Sequence, residues 1–224
     1  LGNNAEAIGY LTDYVNAVDA PERSALFALG VCEFRKGDYE NAKTHVGAVT
    51  DADDVMAQSA YLFMGQMYLK DDNLNAAALA FEKAYKMPYD ESTRETAFYN
   101  YALAQSRGGR TPFSSSVKLF QDFLNKFPNS RYASNVEDYI INSYMTSKDY
   151  DNALLCIEAL KSPSAKMMKA KQNVLYRLGM RELQAGKTTS AADFLTRADE
   201  LAQYDFKVAQ EVKLWLAETR FPEE

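Results

Sequence analysis

One small residue recurs along the chain at close to the length of a helical hairpin: Gly30, Gly65, Ala102, an enlarged member at Ile141, then Gly179 and Ala217. The intervals are 35, 37, 39, 38 and 38 residues, and each member sits in an apolar stretch with helical spacing. About a dozen residues after each of the first five comes a second small residue: Ala42, Ala77, Ser116, Ala153 and Ala191. Two small residues per period let two helices approach closely, and that double period is the pattern of stacked helix pairs. The chain is therefore expected to be all-α, a right-handed α-solenoid of about five helical hairpins with a flanking helix at each end. A core assembled hairpin by hairpin argues against an enclosed catalytic centre, so no enzymatic activity is expected of this segment.

The local grammar is clearest in LGVCEFRKGDYENA, residues 29–42. Leu26, Leu29, Gly30 and Glu33 share one helical face, and Gly30 admits the partner helix. Gly37 supplies the positive φ of a helix cap, and Asp38 the first acceptor of the next helix, whose apolar stripe is Tyr39, Ala42, Val46 and Val49. The same order returns in residues 63–77, 139–153 and 178–191. The third unit departs from it: Phe98 to Arg107 is followed by Gly108-Gly109-Arg110-Thr111-Pro112, a longer turn, before Ser116, Phe120 and Phe123. Pro112 suits the first turn of the second helix. Pro21, Pro88, Pro128 and Pro163 fall near the ends of second helices, where a residue that cannot continue a helix marks the connection.

These residues resemble the tetratricopeptide repeat, which has Leu-Gly and then Tyr in its first helix, Gly-Asp-Tyr at the turn, Ala, an aromatic and Ala in its second helix, and a closing Pro. The resemblance covers nearly the whole chain. It implies a single array over residues 1–224, with hairpins near 23–54, 58–88, 94–128, 134–163 and 171–202 and partial repeats at 1–20 and 205–224. The first partial repeat reads as a second helix from Gly2 to Tyr14, the last as a first helix from Val212 to Phe221. Terminal helices of a solenoid carry a polar outer face, and Trp215, Leu216 and Phe221 do not, so the chain is expected to be a piece of a longer protein.

Charge and composition narrow the partners. The chain has 25 Lys and Arg against 31 Asp and Glu, a net charge of −6. That balance argues against general binding of nucleic acid or an anionic membrane, both of which need clustered cations. No apolar run approaches the ~20 residues needed to span a bilayer. Cys32 and Cys156 lie on different hairpins, so no disulfide is expected, and both read as small core residues. A protein or peptide partner is the expectation.

The chemical motifs dissolve on inspection. Gly186-Lys187-Thr188 imitates the end of a phosphate loop, but Arg181 stands where the earlier glycine is needed and a helix precedes it where a strand is required. His45 is the single histidine, with no Cys or second His at ligand spacing. Asp53-Asp54 and Asp71-Asp72 stand beside helix starts, where caps explain them. No catalytic residue, metal ligand or cofactor is predicted.

The inner surface of such an array is lined by one face of its first helices. Counting from the small residue gives Phe27, Val31, Phe34 and Arg35 in the first hairpin. Leu62, Gln66, Leu69 and Lys70 follow in the second, then Tyr99, Leu103 and Arg107 in the third. Asp138, Asn142 and Met145 continue it, then Tyr176, Met180 and Leu183. The early part is apolar with a basic edge, and Arg35, Lys70 and Arg107 recur at equivalent places. They can stack as a cationic ladder for the carboxylates of an extended peptide, or each can complement the dipole at its own helix end. The carboxylate clamp of chaperone-associated tetratricopeptide domains needs Lys, Asn and Arg where this chain has Phe27, Val31, Phe63, Thr96 and Asn100, so that activity is not implied. Phe127 to Tyr132 and Trp215 to Glu218 resemble stretches of bacterial envelope tetratricopeptide proteins, the Tol-Pal coordinator and outer-membrane lipoproteins, which implies a periplasmic or outer-membrane-associated setting. The expected function is a non-catalytic interaction scaffold with a concave groove. The alternative is a structural spacer whose groove is filled by its own flanking chain.

Overall fold

The computed structural model describes residues 4–108 and 113–220. Twelve α-helices and no strand occur among them. The chain divides into two compact units, residues 1–116 and 117–224. The first contains α1 (Asn4–Ala17), α2 (Arg23–Lys36), α3 (Tyr39–Gly47), α4 (Val55–Lys70), α5 (Leu74–Lys86) and α6 (Glu91–Arg107). Most of α7 (Phe113–Lys126) lies in the second, with α8 (Ala133–Ser147), α9 (Tyr150–Glu158), α10 (Ala165–Gln184), α11 (Thr188–Asp199) and α12 (Phe206–Arg220). Packing follows chain order, α1 through α6 in the first unit and α9 through α12 in the second, so each unit is an α-solenoid of hairpins.

The turns within hairpins share one backbone device. Gly37 and Gly186 adopt φ of 89° and 71°, and Asp72 and Lys148 hold 56° and 55° at the equivalent turns. The very next residue then caps the second helix: Asp38 accepts from Asn41 N, Asn73 from Ala76 N and Asp149 from Asn152 N. First helices are capped likewise by Asp54, Asp90 and Ser164. Each cap satisfies a backbone donor that would otherwise lack a helical partner. The long third turn with Pro112, and Gly2 and Phe221 at the ends, lie outside the described residues. The last helix begins at Phe206, before the expected Val212, because Asp205 Oδ1 accepts from Lys207 N at 3.1 Å and Val208 N at 3.3 Å.

The recurring small residue is where the two helices of a hairpin touch. A Cβ on Gly30 would stand 2.6 Å from Val46 Cγ2, one on Gly65 2.5 Å from Phe81 Cε1, and one on Gly179 2.8 Å from Leu195 Cγ. In all three, the opposing side chain follows the second small residue by one helical turn, and Val46, Phe81 and Leu195 are fully buried. At Ile141 the larger side chain is half-buried, Ile140 and Tyr144 turn inward instead, and α9 packs more extensively on α10 than on α8.

A second, polar register runs seven residues before the small one. Gln58, fully buried on α4, donates through Nε2 to Met87 O at 2.8 Å and to Ala84 O and Asp90 O at 3.2 Å. Its Oε1 accepts from Asp90 N at 2.7 Å. The same register holds Arg23, which donates to Asp54 Oδ2 at 2.6 Å and Val49 O at 2.7 Å, and Gln172, which donates to Asp205 O at 3.1 Å. Each of these side chains ties a first helix to the connection that leads into the next hairpin.

Candidate functional site

In the first unit α2 lies beside α4 and α4 beside α6, so the three first helices present their faces together. Phe27, Val31 and Phe34 on α2, Leu62, Gln66 and Leu69 on α4, and Tyr99 and Leu103 on α6 are all half-buried. Two of the aromatics are partly spent on packing. Phe27 and Phe34 meet Phe63 edge-on, with ring centroids 6.0 Å and 5.2 Å away, and Phe34 also leans on Tyr39 at 5.7 Å. Edge-to-face aromatic pairs add attraction beyond the area they bury. Phe63 is thus part of this face, although the repeat spacing does not nominate it.

Arg35, Lys70 and Arg107 stand in the last turns of α2, α4 and α6 and are exposed. None forms an ion pair with another described residue. Other cations of this unit do: Lys43 bridges Glu40 and Asp71, Lys86 pairs with Glu82, Arg23 with Asp54. Three cations one repeat apart, left without carboxylates in an acidic chain, are electrostatically available to an anion.

In the second unit α8 and α10 carry the remaining residues. Asn142 is exposed, Met145, Tyr176, Met180 and Leu183 are half-buried, and Asp138 pairs with Lys166 at 2.6 Å. Tyr176 is already engaged, its hydroxyl donating to Glu211 at 2.9 Å.

The other polar groups have structural partners. Gly186 is a left-handed turn residue between two helices. His45 Nδ1 donates to Glu33 Oε2 at 2.7 Å. Asp54 caps α4, and the Arg23 guanidinium, then Ala57 N, holds its carboxyl down at about 2. Burial pushes the Cys156 thiol up to about 11, which suppresses the reactive thiolate. Cys32 is half-buried rather than a core residue. Among the described residues no group of three His, Cys, Asp or Glu side chains can hold a metal ion, and no helix is long and apolar enough to cross a membrane.

Three family profiles described as tetratricopeptide repeat match the chain, at residues 1–46, 58–90 and 96–130. No curated protein matches it. Among solved structures, a tetratricopeptide repeat protein from Parabacteroides merdae is similar at 17% identity and a TM-score of 0.47, over 98% of this chain and 78% of that one. The TPR2AB domain of yeast Sti1, in a complex with pHSP90, is similar at 12% identity and a TM-score of 0.40, over 97% and 92%.

Proposed function

Taking as premise that the chain is a tetratricopeptide-repeat protein, we propose that it is a non-catalytic scaffold that binds an extended acidic segment of a protein partner on the first-helix face of its first unit. One observation carries this reading: Arg35, Lys70 and Arg107 are exposed, one repeat apart and without ion-pair partners among the described residues, beside a half-buried apolar strip that includes Leu62, Leu69 and Leu103. A peptide in extended form meets such a face with alternate side chains, apolar ones on the strip and carboxylates on the cations. The dipole at each helix end accounts for one cation at a time, and it leaves those cations free to serve a ligand as well.

Charge reversal of all three, Arg35→Glu with Lys70→Glu and Arg107→Glu, is expected to abolish binding of a synthetic peptide bearing alternating Glu and Leu while the helical circular dichroism is unchanged. Raising the salt concentration is expected to weaken the wild-type complex, because exposed pairs are screened. Binding that survives both changes refutes the ladder. The bacterial envelope setting belongs to the same proposal and rests on the Phe127 to Tyr132 and Trp215 to Glu218 segments. Fractionation of cells producing the natural protein tests it. The spacer reading draws on the Phe27–Phe63–Phe34 cluster, in which the chain fills part of its own face. It predicts that no added peptide binds.

A further inference from the structure

Between α1 and the α2–α3 hairpin lies a cleft of about 250 Å³ that the repeat pattern does not require. The volume far exceeds the ~30 Å³ share of one water molecule and falls just below the range of drug-sized pockets, which sets the guest at the size of a side chain. One wall is formed by α1, where Ile8 and Val15 stand among Thr12 and Asn16, together with Leu29 from α2, so it offers apolar surface at Ile8, Val15 and Leu29. The other carries Glu33, His45 and Lys36.

Glu33 is the unusual member. It is 6% exposed, and its Oε2 is occupied by His45 Nδ1 at 2.7 Å. Its Oε1 has no hydrogen-bond donor, yet that oxygen is not among the atoms sealed from solvent. A buried carboxylate therefore turns one free acceptor toward the cleft, and such a group gains most from a donor that brings positive charge. The remaining charges do not supply it. Asp38, which also lines the cleft, spends both oxygens on Asn41 N and Nδ2. Lys36 is exposed and makes no ion pair with Glu33.

We propose that the cleft receives the guanidinium of an arginine side chain from a partner protein, its carbon stem between Ile8 and Leu29 and its charge on Glu33 Oε1. Arginine fits better than lysine, since the guanidinium is the more weakly hydrated cation and loses less on entering a half-closed space. Ile8, Val15 and Leu29 accommodate the stem as apolar surface does for snorkelling side chains. This site is separate from the first-helix face, and reversal of Arg35, Lys70 and Arg107 is expected to leave it intact.

The test is a titration of the full chain with N-acetyl-arginine methylamide, followed through the methyl resonances of Ile8, Val15 and Leu29. Saturable shifts are expected, with none from the uncharged N-acetyl-citrulline methylamide. Glu33→Gln, which keeps an acceptor for His45, is expected to weaken binding at least about ten-fold, the scale of a charged hydrogen bond. Val15→Phe, which fills the cleft without touching the Glu33–His45 pair, is expected to abolish it, and it keeps the test open if Glu33→Gln impairs folding. Equal responses to the arginine and citrulline compounds, no saturable shift, or unchanged affinity in Val15→Phe would overturn the proposal. Free arginine binding more tightly than its blocked form would overturn the protein-borne source and point to a metabolite.

Discussion

Gly65 has Phe81 where its side chain would be. Because the nearest ring atom would lie 2.5 Å from an added Cβ and Phe81 is fully buried, the ring cannot simply swing away. Gly65→Ala must then push α4 and α5 apart or force Phe81 off its rotamer, and overpacking of this kind costs about 1–3 kcal/mol. The gain in helix propensity from Gly to Ala, about 1 kcal/mol, offsets part of that cost. Gly9 and Gly47 provide the contrast, since nothing lies within 4 Å of an added Cβ at either. Urea unfolding of the three alanine variants is expected to lower the midpoint for Gly65→Ala and to leave or raise it for Gly9→Ala and Gly47→Ala. A Gly65→Ala protein as stable as wild type would mean that the hairpin spacing is not set by this contact.

At the scale of the helical element, apolar contacts hold each hairpin together and also join it to the next, as where Tyr85 stacks on Phe98 at 4.2 Å, while polar side chains fix the connection between them. Gln58 uses its amide to satisfy Asp90 N and three carbonyls around the α5–α6 connection. Gln58→Leu conserves much of the volume and removes every one of these bonds. Unpaired buried backbone groups cost about 1–3 kcal/mol each in the worst case, so a loss of about 2–4 kcal/mol is expected, read as a lower urea midpoint. Hydrogen exchange adds a test of mechanism: Asp90 NH and the first turn of α6 should lose protection before the centres of α4 and α5. Uniform loss across the first unit would instead mark Gln58 as an ordinary core residue. Gln172 offers an internal comparison, because its Oε1 is buried without a partner. Its side chain makes fewer bonds than that of Gln58, and Gln172→Leu should cost less.

For the whole molecule, the features legible in the sequence were those that recur with the same residue type. Small residues, turn glycines and Asp or Asn caps mark the hairpins because each has a narrow physical requirement, and the all-helical solenoid follows from them. The polar register of Arg23, Gln58 and Gln172 was hidden because three chemically different residues do one job. The Glu33–His45 pair was hidden because it joins separate helices, and Phe63 because periodicity places a residue on a face without showing which neighbour fills the space beside it. Carboxylates give the molecule a further shared property. In the first unit the Arg23 guanidinium depresses Asp54 from 3.8 to about 2, and hydrogen bonds to Thr93 lower Asp90. In the second, Arg181 lowers Asp151 and Lys169 lowers Asp205. A depressed carboxyl binds fewer protons folded than unfolded, so its contribution is complete above the ordinary carboxylate range and is lost as pH falls through the folded value. Below about pH 4 the 25 Lys and Arg also lose their counter-charges and repel one another. Stability in urea is therefore expected to be level through neutral pH and to fall steadily from about pH 4 toward 2. Asp54→Asn should lower the plateau and flatten the fall, since its stabilisation is already absent. A decline that begins on the alkaline side, or an Asp54→Asn protein with an unaltered slope, would show that these capped and paired carboxylates do not govern acid unfolding.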